Sequence, residues 1–230
     1  MIDTHSHLFV EEFDEDLPAV IERARDSGVS KVFMPNIDDT TVEAMLNVCT
    51  AYKGYCFPMI GFHPTSVGAD SLFRIYEMKK LLSGEHPFVA VGEVGMDLYW
   101  DKTYLKEQQK ALDIQIQWAL EYHLPLVLHC REAFPELFEV MEPYKKTELS
   151  GIFHSFTGTL EEAGQVLEYA RFFFGINGVV TFKKSSLAEV LPHIPLDRIV
   201  LETDSPYLAP VPFRRSEERR VGKECRSRWS

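Results

Sequence analysis

Eight short runs rich in Val, Ile and Phe recur along the chain. They begin at Met1 (MIDTHSHL), Lys31 (KVFMPNI), Tyr55 (YCFPMIGFHP), Phe88 (FVAVGEVG), Pro125 (PLVLHC), Ser150 (SGIFHSF), Phe172 (FFFGINGVV) and Arg198 (RIVLETDSP). Near-continuous apolar runs mark strands buried on both faces, as in a parallel sheet. Between the runs the apolar spacing becomes helical. Leu17, Val20, Ile21 and Ala24 share one face of a predicted helix over 17–26, and Leu112, Ile116, Ala119 and Leu120 share one over 105–122. Strand and helix alternating eight times predict an α/β fold of the (β/α)8 TIM-barrel type. An open doubly wound sheet would place a Gly-rich phosphate loop after its first strand. HSHLF stands there instead, which favours the barrel.

No internal repeat or low-complexity linker precedes residue 213, so residues 1–213 are expected to form a single barrel domain. The pattern then breaks. Residues 214–230 read RRSEERRVGKECRSRWS, seven basic against three acidic residues, a charge of +4. This segment has no apolar stripe, yet it stands where the barrel should place its eighth helix. It reads either as a basic tail that grips nucleic acid or as an unrelated segment, disordered or artefactual. The second reading is preferred, and the barrel is expected to lack a normal eighth helix.

The whole chain of 230 residues carries a net charge of −11, which leaves −15 on the remainder. That balance argues against a broad electrostatic grip on nucleic acid. It does not exclude a nuclease, because bound cations neutralise phosphate locally and their carboxylate ligands add to the negative count. The first residues lack the basic and apolar stretches of a signal peptide, and no run is long enough to span a membrane. Cys49, Cys56, Cys130 and Cys225 form no CxxC pair. Reduced thiols, a cytoplasmic location and no membrane contact are expected.

The polar residues at the strand ends carry the chemistry. His5 and His7 stand at i, i+2 on the first strand, Glu93 near the end of the fourth, His129 on the fifth, His154 on the sixth and Asp204 on the eighth. A barrel builds its active site at these C-terminal strand ends. Any one of these histidines alone is more simply a core imidazole. Six imidazole and carboxylate groups at one mouth are costly to bury unless they bind metal. Six ligands exceed one tetrahedral site, so two divalent ions are expected. His5, His7 and Asp204 would hold one, His129 and His154 the other, and Glu93 would bridge them. No carbamate-forming lysine occupies the fourth-strand end. Imidazoles admit Zn or Mn, and the carboxylates with a phosphate substrate admit Mg.

These residues sit in motifs that resemble those of the TatD family of metal-dependent deoxyribonucleases, within the amidohydrolase-like barrels. MIDTHSHL, GFHP at 61–64, VGEVGMDLYWD at 91–101, PLVLHCREA at 125–133, GIFHSFTG at 151–158 and LETDSPYLAPVPFR at 201–214 occur in the family's order. The resemblance covers about residues 1 to 214. It implies His5, His7, Glu93, His129, His154 and Asp204 as metal ligands, the set already read from the strand ends. It also implies hydrolysis of DNA phosphodiesters as a 3′-to-5′ exonuclease on single-stranded ends.

Around this set, His63 is expected to face a substrate phosphate, and Asp97, Tyr99 and Trp100 lie on the loop expected after the fourth strand, where Asp97 and Tyr99 are expected to contact substrate. Their aromatic rings either stack a base or pack on the barrel rim. Arg131 either steers phosphate or pairs with Glu132, and Lys183 and Lys184 read as a solvated face. His86, His123 and His193 belong to the opposite rim. Cys130 should point away from His129 toward the helices, which leaves it out of the chemistry. Glu93 and Asp204 are the expected catalytic residues, with Asp204 handling the proton of the attacking water. The same site would also suit an amide or ester, such as a D-aminoacyl ester on transfer RNA. A barrel that only binds a partner is the third alternative.

Overall fold

The protein is described here by a computed structural model covering residues 1–213. The basic segment from Arg214, and with it the place expected for an eighth helix, lies outside the described residues. Eight parallel strands form the wall: β1 (Ile2–Asp3), β2 (Lys31–Pro35), β3 (Cys56–Met59), β4 (Val91–Asp97), β5 (Leu126–Arg131), β6 (Gly151–Phe153), β7 (Phe172–Ile176) and β8 (Ile199–Leu201). Strands β1 to β3 pair in order, as do β4 to β8. Two bridges close the ring, Ile60 with Val91 between β3 and β4, and Ser6 with Ser205 between β8 and β1. Helices α1 (Leu17–Asp26), α2 (Val42–Ala51), α3 (Ser71–Lys79), α4 (Leu105–Glu121), α5 (Phe134–Met141), α6 (Leu160–Leu167) and α7 (Leu187–Val190) follow the first seven strands. The fold is therefore the (β/α) barrel that the alternation of periods predicts.

Side-chain alternation assigns the two faces of the wall. On β5, Leu126, Leu128 and Cys130 join the large core between sheet and helices, while Val127 turns to the opposite face with His129. Val127 packs there with Met59 and Ala90 in a separate small apolar cluster. It sits two residues below His129, so an apolar layer lies beneath the polar barrel mouth. The thiols of Cys49, Cys56 and Cys130 are free and buried. Burial pushes the Cys130 thiol up, which suits its apolar face and not a nucleophile. Among the described residues no helix is long and apolar enough to cross a membrane.

Two strand boundaries differ from the sequence reading. His5 and His7 lie beyond the two-residue β1. After Asp3 the chain leaves the ladder with β2 and pairs mainly across the closure: the Thr4 N–H donates to the Leu201 carbonyl at 3.1 Å, and the His7 N–H to the Ser205 carbonyl at 2.8 Å. Asp97 is the last residue of β4 and not part of the loop, because its carbon α pairs with that of Arg131 on β5.

Helix α4 sets the height of two strand ends. Its buried face carries Ala111, Leu112, Ile116, Trp118 and Ala119, and each large apolar side chain there contributes about 1.5–3 kcal/mol. Gln108 and Gln115 stand on the same face two turns apart, both buried. The Gln108 amide accepts from the Asp97 N–H at 2.9 Å and donates to the Asp97 carbonyl at 3.1 Å. Gln115 treats Phe62 the same way, at 2.7 and 3.3 Å. These amides take the place of ladder bonds where the wall opens into the mouth. Replacing Gln108 by Leu should therefore lower the unfolding free energy by about 2–4 kcal/mol, since two buried backbone groups lose their partners. The exposed neighbour change Gln117→Leu should cost under about 0.5 kcal/mol. Urea unfolding of both variants checks the difference.

Candidate metal centre

Every residue of β4 is buried, and Glu93 lies in the middle of the mouth. Its two carboxylate oxygens face different partners. Oε2 stands 3.1 Å from His5 Nε2 and 3.7 Å from His7 Nε2. Oε1 stands 2.9 Å from His129 Nδ1, 3.3 Å from His63 Nε2 and 3.7 Å from His154 Nε2. Asp204 closes the first side, with Oδ1 3.4 Å from His7 Nε2 and 3.7 Å from His154 Nε2. His154 lies between the two sides, stacked on His5 with ring centroids 3.4 Å apart. The six residues read from the strand ends thus stand around one point. His63, expected to meet substrate, also reaches Glu93 and forms a ligand-capable group with Glu93 and His129.

Two further carboxylates aim the imidazoles. Asp97 Oδ2 lies 3.0 Å from His129 Nε2, which leaves Nδ1 for Glu93. Glu202 Oε1 lies 3.0 Å from His154 Nδ1, which leaves Nε2 for the mouth. Asp97 does this by hydrogen bond, which favours the tautomer that bares the other nitrogen, and Glu202 by its charge beside Nδ1, which makes no hydrogen bond. Close packing of the backbone makes room for this arrangement. A Cβ on Gly175 would overlap the Glu202 carboxylate, and one on Gly95 would overlap the His129 carbonyl. Gly95 also holds a φ of +142°, which other residues rarely adopt. Glu202 is the residue that the strand-end reading missed. The available signal was its i, i+2 spacing from Asp204, the same spacing that singled out His5 and His7.

The electrostatics follow from burial and charge. Burial would raise the Glu93 pKa, but His63, His5, His154 and His129 hold it well below the usual carboxylate range. Asp204 is likewise held low against burial, chiefly by His154. Burial lowers His5, with His154 adding to it, and burial also lowers His63. Burial alone would lower His129, but Asp97 and Glu93 push it up to about 9. His154 rises against burial to about 10 under Glu202, Glu93 and Asp204. The donor set fits divalent cations. His5 Nε2 and His7 Nε2 lie 3.2 Å apart, and two ring nitrogens so close need a proton or a cation between them. The Nδ1 atoms of both rings are buried without a hydrogen-bond partner.

The remaining residues fall outside this cluster. Tyr99 and Trp100 are exposed on the loop after β4. Arg131 does not pair with Glu132: its guanidinium stacks 3.7 Å over the Tyr99 ring and 5.1 Å from the Trp100 ring. Lys183 and Lys184 are exposed after β7. His86, His123 and His193 precede β4, β5 and β8 and are not in the cluster.

Imidazoles ligate only as free bases, so a metal held by His129 and His154 would displace the protons that their raised pKa values retain. Calorimetry of zinc binding at pH 7, in buffers of different ionisation enthalpy, should show release of about two protons. Apparent affinity should rise with pH toward the range 9 to 10. Binding without proton release would rule these two residues out as ligands.

Comparison with known proteins identifies the family. The family model for TatD-related DNases matches residues 2–226. The metal-dependent hydrolase YabD of Bacillus subtilis is 34% identical over 215 residues, 93% of this chain and 83% of that protein. The 3′-5′ ssDNA/RNA exonuclease TatD of Pantoea ananatis is 32% identical over 233 residues, 98% and 86% of the two chains. Among solved structures, the TatD homologue YJJV of Escherichia coli K12 superimposes with a TM-score of 0.84 at 28% identity, covering 93% of this chain and 82% of that one. An amidohydrolase from Saccharomyces cerevisiae shares the fold, with a TM-score of 0.78 at 18% identity over 100% and 81% of the chains. With its ring of imidazoles and carboxylates at the barrel mouth, the chain belongs to the TatD-related DNase family, and it is a metal-dependent hydrolase that acts on ester bonds.

Proposed function

We propose that this hydrolase cleaves phosphodiester bonds at the ends of single-stranded DNA, in the 3′-to-5′ direction, with two divalent ions. The supporting observation is the division of Glu93: one oxygen serves His5 and His7, the other serves His63, His129 and His154. A bridging carboxylate of this kind suits a pair of ions. Mg, Zn and Mn all fit the donors. In this reading His5, His7 and Asp204 serve one ion, and His129 with His63 the other, while His154 stands between them. Such a pair supplies the positive charge that neutralises a phosphate and activates water.

The chain's own groups do the rest. Glu202 and Asp97 keep His154 and His129 in the orientation that bares one nitrogen to the mouth. Asp204 stays ionised because the surrounding imidazoles hold its pKa low. Its side chain is 12% exposed against 5% for Glu93, so it is the carboxylate better placed to accept a proton from an attacking water. Arg131, a cation at the same rim, meets the phosphate. The net charge of −11 opposes a broad electrostatic grip on long duplexes and favours strand ends that reach the metal centre.

Labelled single-stranded DNA, incubated with Mg, Mn or Zn beside ester and amide substrates, tests the reading. Shortening of the DNA from its 3′ end is expected. Turnover of an aminoacyl ester with DNA left intact would transfer the same site to the ester alternative. Glu93→Gln removes the bridging charge but keeps the shape, and it should lower kcat/KM on DNA by at least about a hundredfold. Near-normal turnover of that variant would separate the metal pair from catalysis. Glu202→Gln should weaken metal affinity by about 10- to 100-fold while the unfolding midpoint moves little, because it acts through His154. Competition with a chromophoric chelator measures the affinity, and restoration by Glu202→Asp would distinguish positioning from general damage.

A further inference from the structure

Arg131 stands out from the cations of the rim. It sits on β5 two residues beyond His129, so both side chains leave the same face of the strand. Its guanidinium lies 3.7 Å over the Tyr99 ring and 5.1 Å from the Trp100 ring. No carboxylate among the described residues pairs with it. Cation–π stacking fixes the plane of a guanidinium without consuming its N–H donors, so the fork of donors remains available to an anion. The two rings stand perpendicular to each other at 4.6 Å and are 42% and 44% exposed. Arg131 thus lies over both rings, and each ring keeps part of its surface exposed at the rim.

This assembly is tied to the metal centre through short contacts. The Tyr99 N–H donates to Asp97 Oδ1 at 3.0 Å. The other Asp97 oxygen lies 3.0 Å from His129 Nε2, and His129 Nδ1 lies 2.9 Å from Glu93. The Leu98 N–H donates to the Arg131 carbonyl at 3.0 Å and joins the loop to β5. A ligand held by the rings and Arg131 is therefore registered against the reacting centre.

We propose that Trp100, Tyr99 and Arg131 form a nucleotide cradle, in which the indole stacks an unpaired nucleobase and Arg131 grips an adjoining phosphate. The cradle rests on the DNA reading above and deepens it, because it explains selection of single strands. A base presents its flat face to an indole only when it has left the duplex stack, and stacking of this kind tolerates any base. A planar bidentate grip on phosphate also explains why arginine, and not lysine, stands at this position.

Steady-state kinetics of the metal-loaded enzyme test the proposal on two oligomers of equal length: oligo(dT), and a strand whose residues are abasic. Wild type should show a KM for oligo(dT) about tenfold below that for the abasic strand. Trp100→Ala should collapse this preference toward unity, and Trp100→Phe should retain most of it. Arg131→Lys should raise KM for both strands alike. Circular dichroism and the unfolding midpoint establish that each variant is folded. A wild type that cuts both strands with the same KM overturns the cradle while the nuclease reading stands. A Trp100→Ala enzyme that keeps the full preference does the same. A wild type that cuts neither strand, yet turns over an ester, overturns both.

Discussion

The mouth of this barrel is organised around one costly fact: a carboxylate, Glu93, sits in the buried middle of the fourth strand. Taking such a charge out of water costs several kcal/mol, and only close opposite charge or metal offsets it. Five imidazoles stand within 3.7 Å of its oxygens, and four of them, His63, His5, His154 and His129, hold it ionised. Those rings are useful only in one orientation, which brings in Asp97 and Glu202 behind two of them. The carboxylates in turn require space and fixed backbone. Gly175 leaves room for Glu202, and Gln108 holds the Asp97 backbone by both its polar groups. A chain of dependence thus runs from helix α4 through the end of β4 to the His129 ring nitrogen that faces Glu93.

Stability and function draw on different layers of the same wall. The face toward the helices is apolar, with Leu126, Leu128 and Cys130 of β5 in one continuous core. The inner face changes character within two residues, from Val127 in the apolar cluster below to His129 at the mouth. The apolar layer excludes water from beneath the site, which strengthens the electrostatics above it. It also explains how a strand can carry an ionisable residue without losing its place in the sheet. Only its last inward positions are polar, and those open toward solvent.

The acidic balance of the chain takes on meaning at this point. A net charge of −11 would repel a polyanion from most of the surface. At the mouth the cationic groups are Arg131 on its aromatic rings and the His129 and His154 imidazoles that their carboxylate neighbours push up.

Much of this was legible in the sequence because it is periodic. The eight apolar runs and the 3.6-residue stripes of Leu17–Asp26 and Leu105–Glu121 reflect burial on one or both faces, which is a local property. The candidate ligands were legible for a related reason: one such residue ending an apolar strand can be an ordinary core group, but six at the strand ends of one barrel are costly to bury together. Tertiary structure decided what depends on a third dimension. It placed His63 beside Glu93 and put His154 between the two sides of the cluster. It moved Asp97 from an expected loop into β4, behind His129, and it showed Glu202 behind His154. It also turned Arg131 away from its neighbour Glu132 and onto Tyr99 and Trp100. Each of these depends on distances between strands that are remote in sequence, set by barrel closure and by the stagger of the strands. Spacing along the chain carries which face a residue leaves from, but not which remote group it meets there.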